Sequence, residues 1–126
     1  MKRLLQSLLL IFFSGAAAAQ SKSALPPAEF EQAIQVKGIQ LLDVRRPEEF
    51  KEGHIKGATL ANWQNEEEFK TKAAKLDKAK PVYVYCLAGV RSNKAATWLT
   101  QQGFTKVVNL EGGIEAWKTA GKPVEH

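Results

Sequence analysis

Residues 81–85, Pro-Val-Tyr-Val-Tyr, constrain this chain more than any other stretch. An unbroken apolar run of β-branched and aromatic residues suits a strand buried on both faces. Such strands sit inside parallel sheets whose faces are covered by helices. The rest of the chain supplies the covering pieces. A helical pattern over 27–34 opens on Pro27, carries Phe30, Ala33 and Ile34 at helical spacing, and stops at Lys37-Gly38. Residues 39–44 form a short apolar run of strand type, and residues 47–53 one or two helical turns between a proline and a glycine. A second short strand is expected at 58–60, then a helix over 66–76 with Phe69, Ala73 and Leu76 inward. A helix over 92–102 places Ala95, Trp98 and Leu99 on one side and ends at Gly103. Residues 106–110 read as a strand, Gly112-Gly113 as a turn beside the loop at 86–91 and 114–119 as a last short helix, while 21–27 reads as a polar, proline-containing lead-in. Strands alternating with helices predict an α/β fold with a mainly parallel sheet. A chain of 126 residues, 44% hydrophobic and 25% charged, has room for one such domain and is not a disordered composition.

The first residues follow different rules. Met1, Lys2 and Arg3 are followed by an apolar run over 4–13, broken only by Gln6 and Ser7, and then by Ala17-Ala18-Ala19. This is the pattern of a secretory signal peptide cut after Ala19. The run is short for a bilayer span and lacks a stop-transfer sequence, which favours removal over a retained anchor. The expected organisation is therefore a signal peptide at 1–19 and a single domain at 20–126, periplasmic or secreted, without stable membrane association. Cleavage leaves 107 residues and, with Lys2 and Arg3 gone, lowers the formal charge from +5 to +3. The remaining lysines are scattered, densest over 70–80, where they suit the wet face of a helix better than a nucleic-acid patch. A monomer is expected for so small a domain.

Cys86 is the sole cysteine, which excludes an internal disulfide and a cysteine-rich zinc site, and His54 and His126 do not amount to a metal site. In an exported protein an unpaired thiol is a liability unless it is buried or reactive. Cys86 falls where an α/β sheet binds ligands, between the carboxyl end of the best strand and a helix N-terminus. The loop Cys86-Leu87-Ala88-Gly89-Val90-Arg91 is short enough to wrap into a nest of backbone N–H groups, which binds anions and favours the thiolate. Gly89 allows positive φ where the turn needs it. Arg91 either adds a forked cation to the nest or points away and ties the loop to the body. Ser92 opens the following helix and supports the loop. Asp43 and Arg45 either orient the loop or form a strand-end ion pair. Glu66, Glu67 and Glu68 suit a solvated helix start, and Trp63, Trp98 and Trp117 suit packing.

Four segments now bear on family. Leu41-Leu-Asp-Val-Arg45 with Pro47-Glu-Glu-Phe50, Gly53-His-Ile-Lys-Gly-Ala58, Val82-Tyr-Val-Tyr-Cys86 with Leu-Ala-Gly-Val-Arg-Ser92, and Leu110-Glu-Gly-Gly-Ile-Glu-Ala-Trp117 with Gly121-Lys-Pro-Val124 stand in that order. Together they resemble the signatures of single-domain rhodaneses, the thiosulfate:cyanide sulfurtransferases, across residues 27–124. Small size and export make the chain similar to the periplasmic members of the phage-shock-protein-E type. The resemblance implies a rhodanese-like α/β fold, with Cys86 as the catalytic nucleophile. Cys86 would carry a persulfide cradled by the N–H groups of residues 87–91, with no metal or organic cofactor. The implied partners are a small sulfur donor such as thiosulfate and a cyanide or thiol acceptor. It also implies a structural role for His54. Thiosulfate users in the family often carry a cation early in the loop, where this chain has Leu87 and Ala88, so the donor stays open.

Two rival readings remain. A persulfide carrier or protein-interaction module would turn over little free thiosulfate. A cysteine-based phosphatase or arsenate reductase would resemble Cys-x5-Arg, one residue longer than Cys86-x4-Arg91, and the smaller ring suits one sulfur atom better than a phosphoryl group.

Overall fold

The computed structural model describes residues 21–126. The expected leader lies outside the described residues. Five strands form one sheet: β1 (Ser21–Leu25), β2 (Gln40–Asp43), β3 (Thr59–Leu60), β4 (Val82–Tyr85) and β5 (Lys106–Leu110). Their order is β1-β5-β4-β2-β3, and every pairing is parallel. Four helices connect them, α1 (Pro27–Ala33), α2 (Pro47–Lys51), α3 (Glu66–Ala73) and α4 (Val90–Gln101), and α5 (Gly113–Thr119) follows the last strand. The expected α/β architecture with a parallel sheet is what the chain adopts. Among the described residues no helix is long and apolar enough to cross a membrane.

The central strand β4 divides the core in two. Alternation sends Val82, Val84 and Cys86 to one face and Tyr83 and Tyr85 to the other. The first face is covered by α3 and α4 through Phe69, Ala73, Ala95, Ala96 and Leu99. The second is covered by α1 and α5 through Phe30, Ile114 and Trp117. All four residues of β4 are buried, as a strand between two helical layers requires. Trp63 and Trp98 stand edge-on to Phe69 with ring centroids 5.0 and 5.6 Å away, and buried Trp117 donates Nε1–H to the Pro123 carbonyl at 2.8 Å. All three tryptophans therefore pack, as expected.

Three expectations need correction. Residues 21–25 are an edge strand rather than a lead-in. Their side chains are mostly small or polar because the edge strand has one neighbour, β5, and an exposed flank. This strand props the molecule on two sides. Lys22 Nζ donates to Thr97 Oγ1 at 2.9 Å and to Asn93 Oδ1 at 3.3 Å on α4, and the Leu25 carbonyl accepts from the Glu111 amide at 2.8 Å. Second, α4 begins at Val90 rather than Ser92. Gly89, at φ 110°, takes the left-handed turn that lets the helix start two residues earlier. Val90 and Arg91 are thus first-turn helical residues, not loop. Helix α3 stops at Ala73, short of the expected 76, although Leu76 still packs on its core.

Candidate active site at the end of the central strand

Cys86 ends β4 with 1% of its surface exposed. Its Sγ lies 3.1 Å from the Gly89 amide nitrogen and 3.3 Å from that of Ser92. Ser92 Oγ stands 3.2 Å from the same sulfur, where either atom can donate, and donates to the Gly89 carbonyl at 3.3 Å. The sulfur therefore takes the place of a capping oxygen at the start of α4, accepting from first-turn amides that have no partner inside the helix. The same convergence, with the positive end of α4, stabilises negative charge on sulfur. Of residues 87–91, Gly89 alone aims its amide at Sγ, and Ser92 supplies the second. Among the described residues the amides of Leu87, Ala88, Val90 and Arg91 have no protein acceptor.

The loop's carbonyls face the other way. The Ile114 amide donates to the Cys86 carbonyl at 2.9 Å and the Glu115 amide to the Leu87 carbonyl at 3.1 Å. These donors are the first turn of α5, brought there by Gly112 and Gly113 at φ 78° and 66°. With these two carbonyl oxygens tied to α5, the chain turns so that the Gly89 amide faces the sulfur. The sequence places the glycine pair as a turn beside the loop, as found, but does not say which of the loop's carbonyls it holds.

Arg91 ties the loop to the body. Its Nη1 and Nη2 donate to Glu49 Oε1 and Oε2 at 2.8 and 3.1 Å, a forked pair with both side chains mostly buried. The Arg91 bond holds the Glu49 carboxyl down at about 2, helped by the Arg46 amide, which donates to Oε1 at 3.0 Å. Glu49 was not singled out from the sequence. Its partner lies 42 residues away, and the signal available was its place three residues after Arg46, at the N-terminus of α2.

Asp43 and Arg45 are not brought to the sulfur. They form a buried ion pair at 2.6 Å on the Tyr85 side of the sheet, and Arg45 Nη2 also donates to the Gly53 carbonyl at 2.8 Å. There the Tyr85 hydroxyl accepts the Ile55 amide at 3.0 Å. Burial first, and then Asp43, push the Tyr85 phenol well above its ordinary range, so it stays protonated. His54 is also remote from the sulfur's hydrogen bonds. Its ring stacks on Phe50 at 3.7 Å, and its backbone bridges Glu125.

A strand-end cysteine capping the next helix, and a glycine turn clamping its loop, are joined by a match of the rhodanese-like domain profile to residues 26–120. The chain belongs to the rhodanese-like domain family. This rhodanese-like domain is 38% identical to the thiosulfate sulfurtransferase GlpE of Shewanella oneidensis over 89 residues, which is 71% of this chain and 85% of that one. It is also 38% identical to a tRNA uridine(34) hydroxylase of Cytophaga hutchinsonii, over 71% of this chain but 30% of that protein. The structure of a rhodanese-related protein from Thermoplasma volcanium superposes with a TM-score of 0.71 at 31% identity, covering 82% of this chain and 97% of the other.

Proposed function

We propose that this rhodanese-like domain is a sulfurtransferase that carries sulfane sulfur on Cys86 between a donor and a cyanide or thiol acceptor. The observation that carries the reading is the pair of amides at 3.1 and 3.3 Å from a buried Sγ at a helix start. In the first half-reaction the Cys86 thiolate attacks the outer sulfur of the donor. With thiosulfate, the new Sγ–S bond forms as the donor's S–S bond breaks, and its electron pair leaves on sulfite. In the second, cyanide or a thiolate attacks the outer sulfur and Cys86 leaves as thiolate. This is covalent catalysis in two steps, and it needs no external oxidant or reductant. The unpaired amides of Leu87, Ala88, Val90 and Arg91 are the donors available to the outer, anionic sulfur of the persulfide. The GlpE relative supports the reading by its named activity.

The phosphatase reading is disfavoured by ring size. Leu87, Ala88 and Gly89 are all that separates Cys86 from α4, which leaves little room for a phosphoryl group. We also infer export directed by residues 1–19.

The test is intact-mass analysis of the purified protein with and without a sulfane sulfur donor. One sulfur atom should be gained, then lost to cyanide, and the Cys86→Ser variant should gain none. Catalytic turnover against single loading separates an enzyme from a carrier. Retained turnover in a Cys86→Ser protein with a native circular dichroism spectrum would refute the mechanism.

A further inference from the structure

The charge around the sulfur is unusual for a site that would take a small dianion. Arg91 is the single charged residue between Cys86 and Ser92, and its guanidinium is spent on both oxygens of Glu49. The Gly112-Gly113 turn against the loop is flanked by the exposed acids Glu111 and Glu115. Lys94, the next cation along α4, stands a full helical turn beyond Val90. The rim itself is apolar. Leu87 is 39% exposed and Val90 66%, and with Val36 these are the large hydrophobic residues that the described chain leaves in water. Two of the three thus flank one buried nucleophile.

We propose that the Glu49–Arg91 pair and the exposed Leu87 and Val90 set donor choice, favouring sulfane sulfur borne on an apolar organic group over inorganic thiosulfate. The inference rests on the persulfide reading above and specifies its substrate. Organic thiosulfonates are the simplest such class. Cys86 thiolate attacks the outer sulfur of R–SO2–S⁻, the Sγ–S bond forms, the S–S bond to the sulfonyl sulfur breaks, and the pair leaves on the sulfinate R–SO2⁻. Charge and atoms balance without a further reactant. The organic donor carries one negative charge where thiosulfate carries two, and its R group covers the apolar rim on binding. Glu49 acts as a positioning residue: it holds Arg91 and cancels its charge.

The experiment compares kcat/KM for thiosulfate and for benzenethiosulfonate, with cyanide as acceptor, in the wild type and two variants. Glu49→Gln leaves Arg91 with uncompensated charge, and Val90→Lys places a cation on the exposed rim. Each should move the ratio toward thiosulfate, Glu49→Gln on the order of tenfold, since a contact to a charged group is worth about that much. The gain should shrink as salt is raised. A ratio unmoved in both variants, with native circular dichroism, overturns the inference while leaving the persulfide reading in place. Absence of transfer from either donor in the wild type overturns both.

Discussion

Gly113 packs on Leu87 so closely that a methyl group on its Cα would lie 2.2 Å from the Leu87 carbonyl oxygen. The obstruction is backbone, with the Leu87 carbonyl carbon at 2.4 Å and the Ala88 nitrogen at 2.7 Å. No side-chain rotation relieves it. The N-terminus of α5 and the Cys86 loop touch main chain to main chain, and this contact fixes which way the loop's peptides point.

Gly113→Ala should therefore damage both stability and chemistry. The residue sits at φ 66°, where a side chain is strained, and the loop must move to make room. We expect a loss of at least about 2 kcal/mol, from strain and overpacking together. Urea denaturation measures the stability. Alkylation of Cys86 by iodoacetamide, followed at neutral pH, reports whether the sulfur has lost its amides. A variant with wild-type stability and reactivity would show that the turn merely rests beside the loop.

Acid should weaken the fold through Glu49. Its carboxyl is held at about 2 against an ordinary 4.5, chiefly by Arg91. A carboxyl with a depressed folded pKa stabilises the protein above its unfolded pKa and loses that contribution as pH falls through the folded value. The window thus runs from about 4.5 down to about 2. The pair is largely buried, and its contribution at neutral pH is on the order of 2 kcal/mol. Denaturation midpoints of wild type and Glu49→Gln, measured across this range, should converge toward the acid end. Parallel curves would show that the pair contributes nothing to folding.

Tyr85→Phe removes the acceptor of the buried Ile55 amide. An orphaned buried donor costs about 1–3 kcal/mol. Since the phenol lies on the sheet face opposite the sulfur, Cys86 alkylation should stay at the wild-type rate. Chemical denaturation alongside alkylation separates the two. A large change in alkylation would mean that the faces are coupled through β4.

What the sequence made legible follows the range of the interactions concerned. Strand β4 and the position of Cys86 are local facts: four apolar residues of strand type and the residue after them. The forked partner of Arg91 is not local. Nothing in a six-residue loop says that an acid 42 positions earlier takes both of its nitrogens. The start of α4 was displaced by one conformational choice at Gly89, since a glycine before a helical pattern suits either a loop or a cap. Strand β1 was hidden for an energetic reason. Ser21-Lys-Ser-Ala-Leu25 gains its structure from main-chain pairing with β5, and it has too few apolar side chains to announce a strand. Asp43 and Arg45 were readable as an ion pair two residues apart, but not their distance from the sulfur.

The small antiparallel bridge between His54 and Glu125 joins positions far apart in the chain through two main-chain bonds of 2.8 and 2.9 Å. It works as a clasp. Closing so distant a pair costs chain entropy, so residues 123–126 are expected to dock late and to lift early. A tag fused after His126 would leave the molecule beside Gly53, whose carbonyl holds Arg45. Handles for immobilisation or labelling are therefore better placed elsewhere, and limited digestion from the carboxyl end would report how often the clasp stands open.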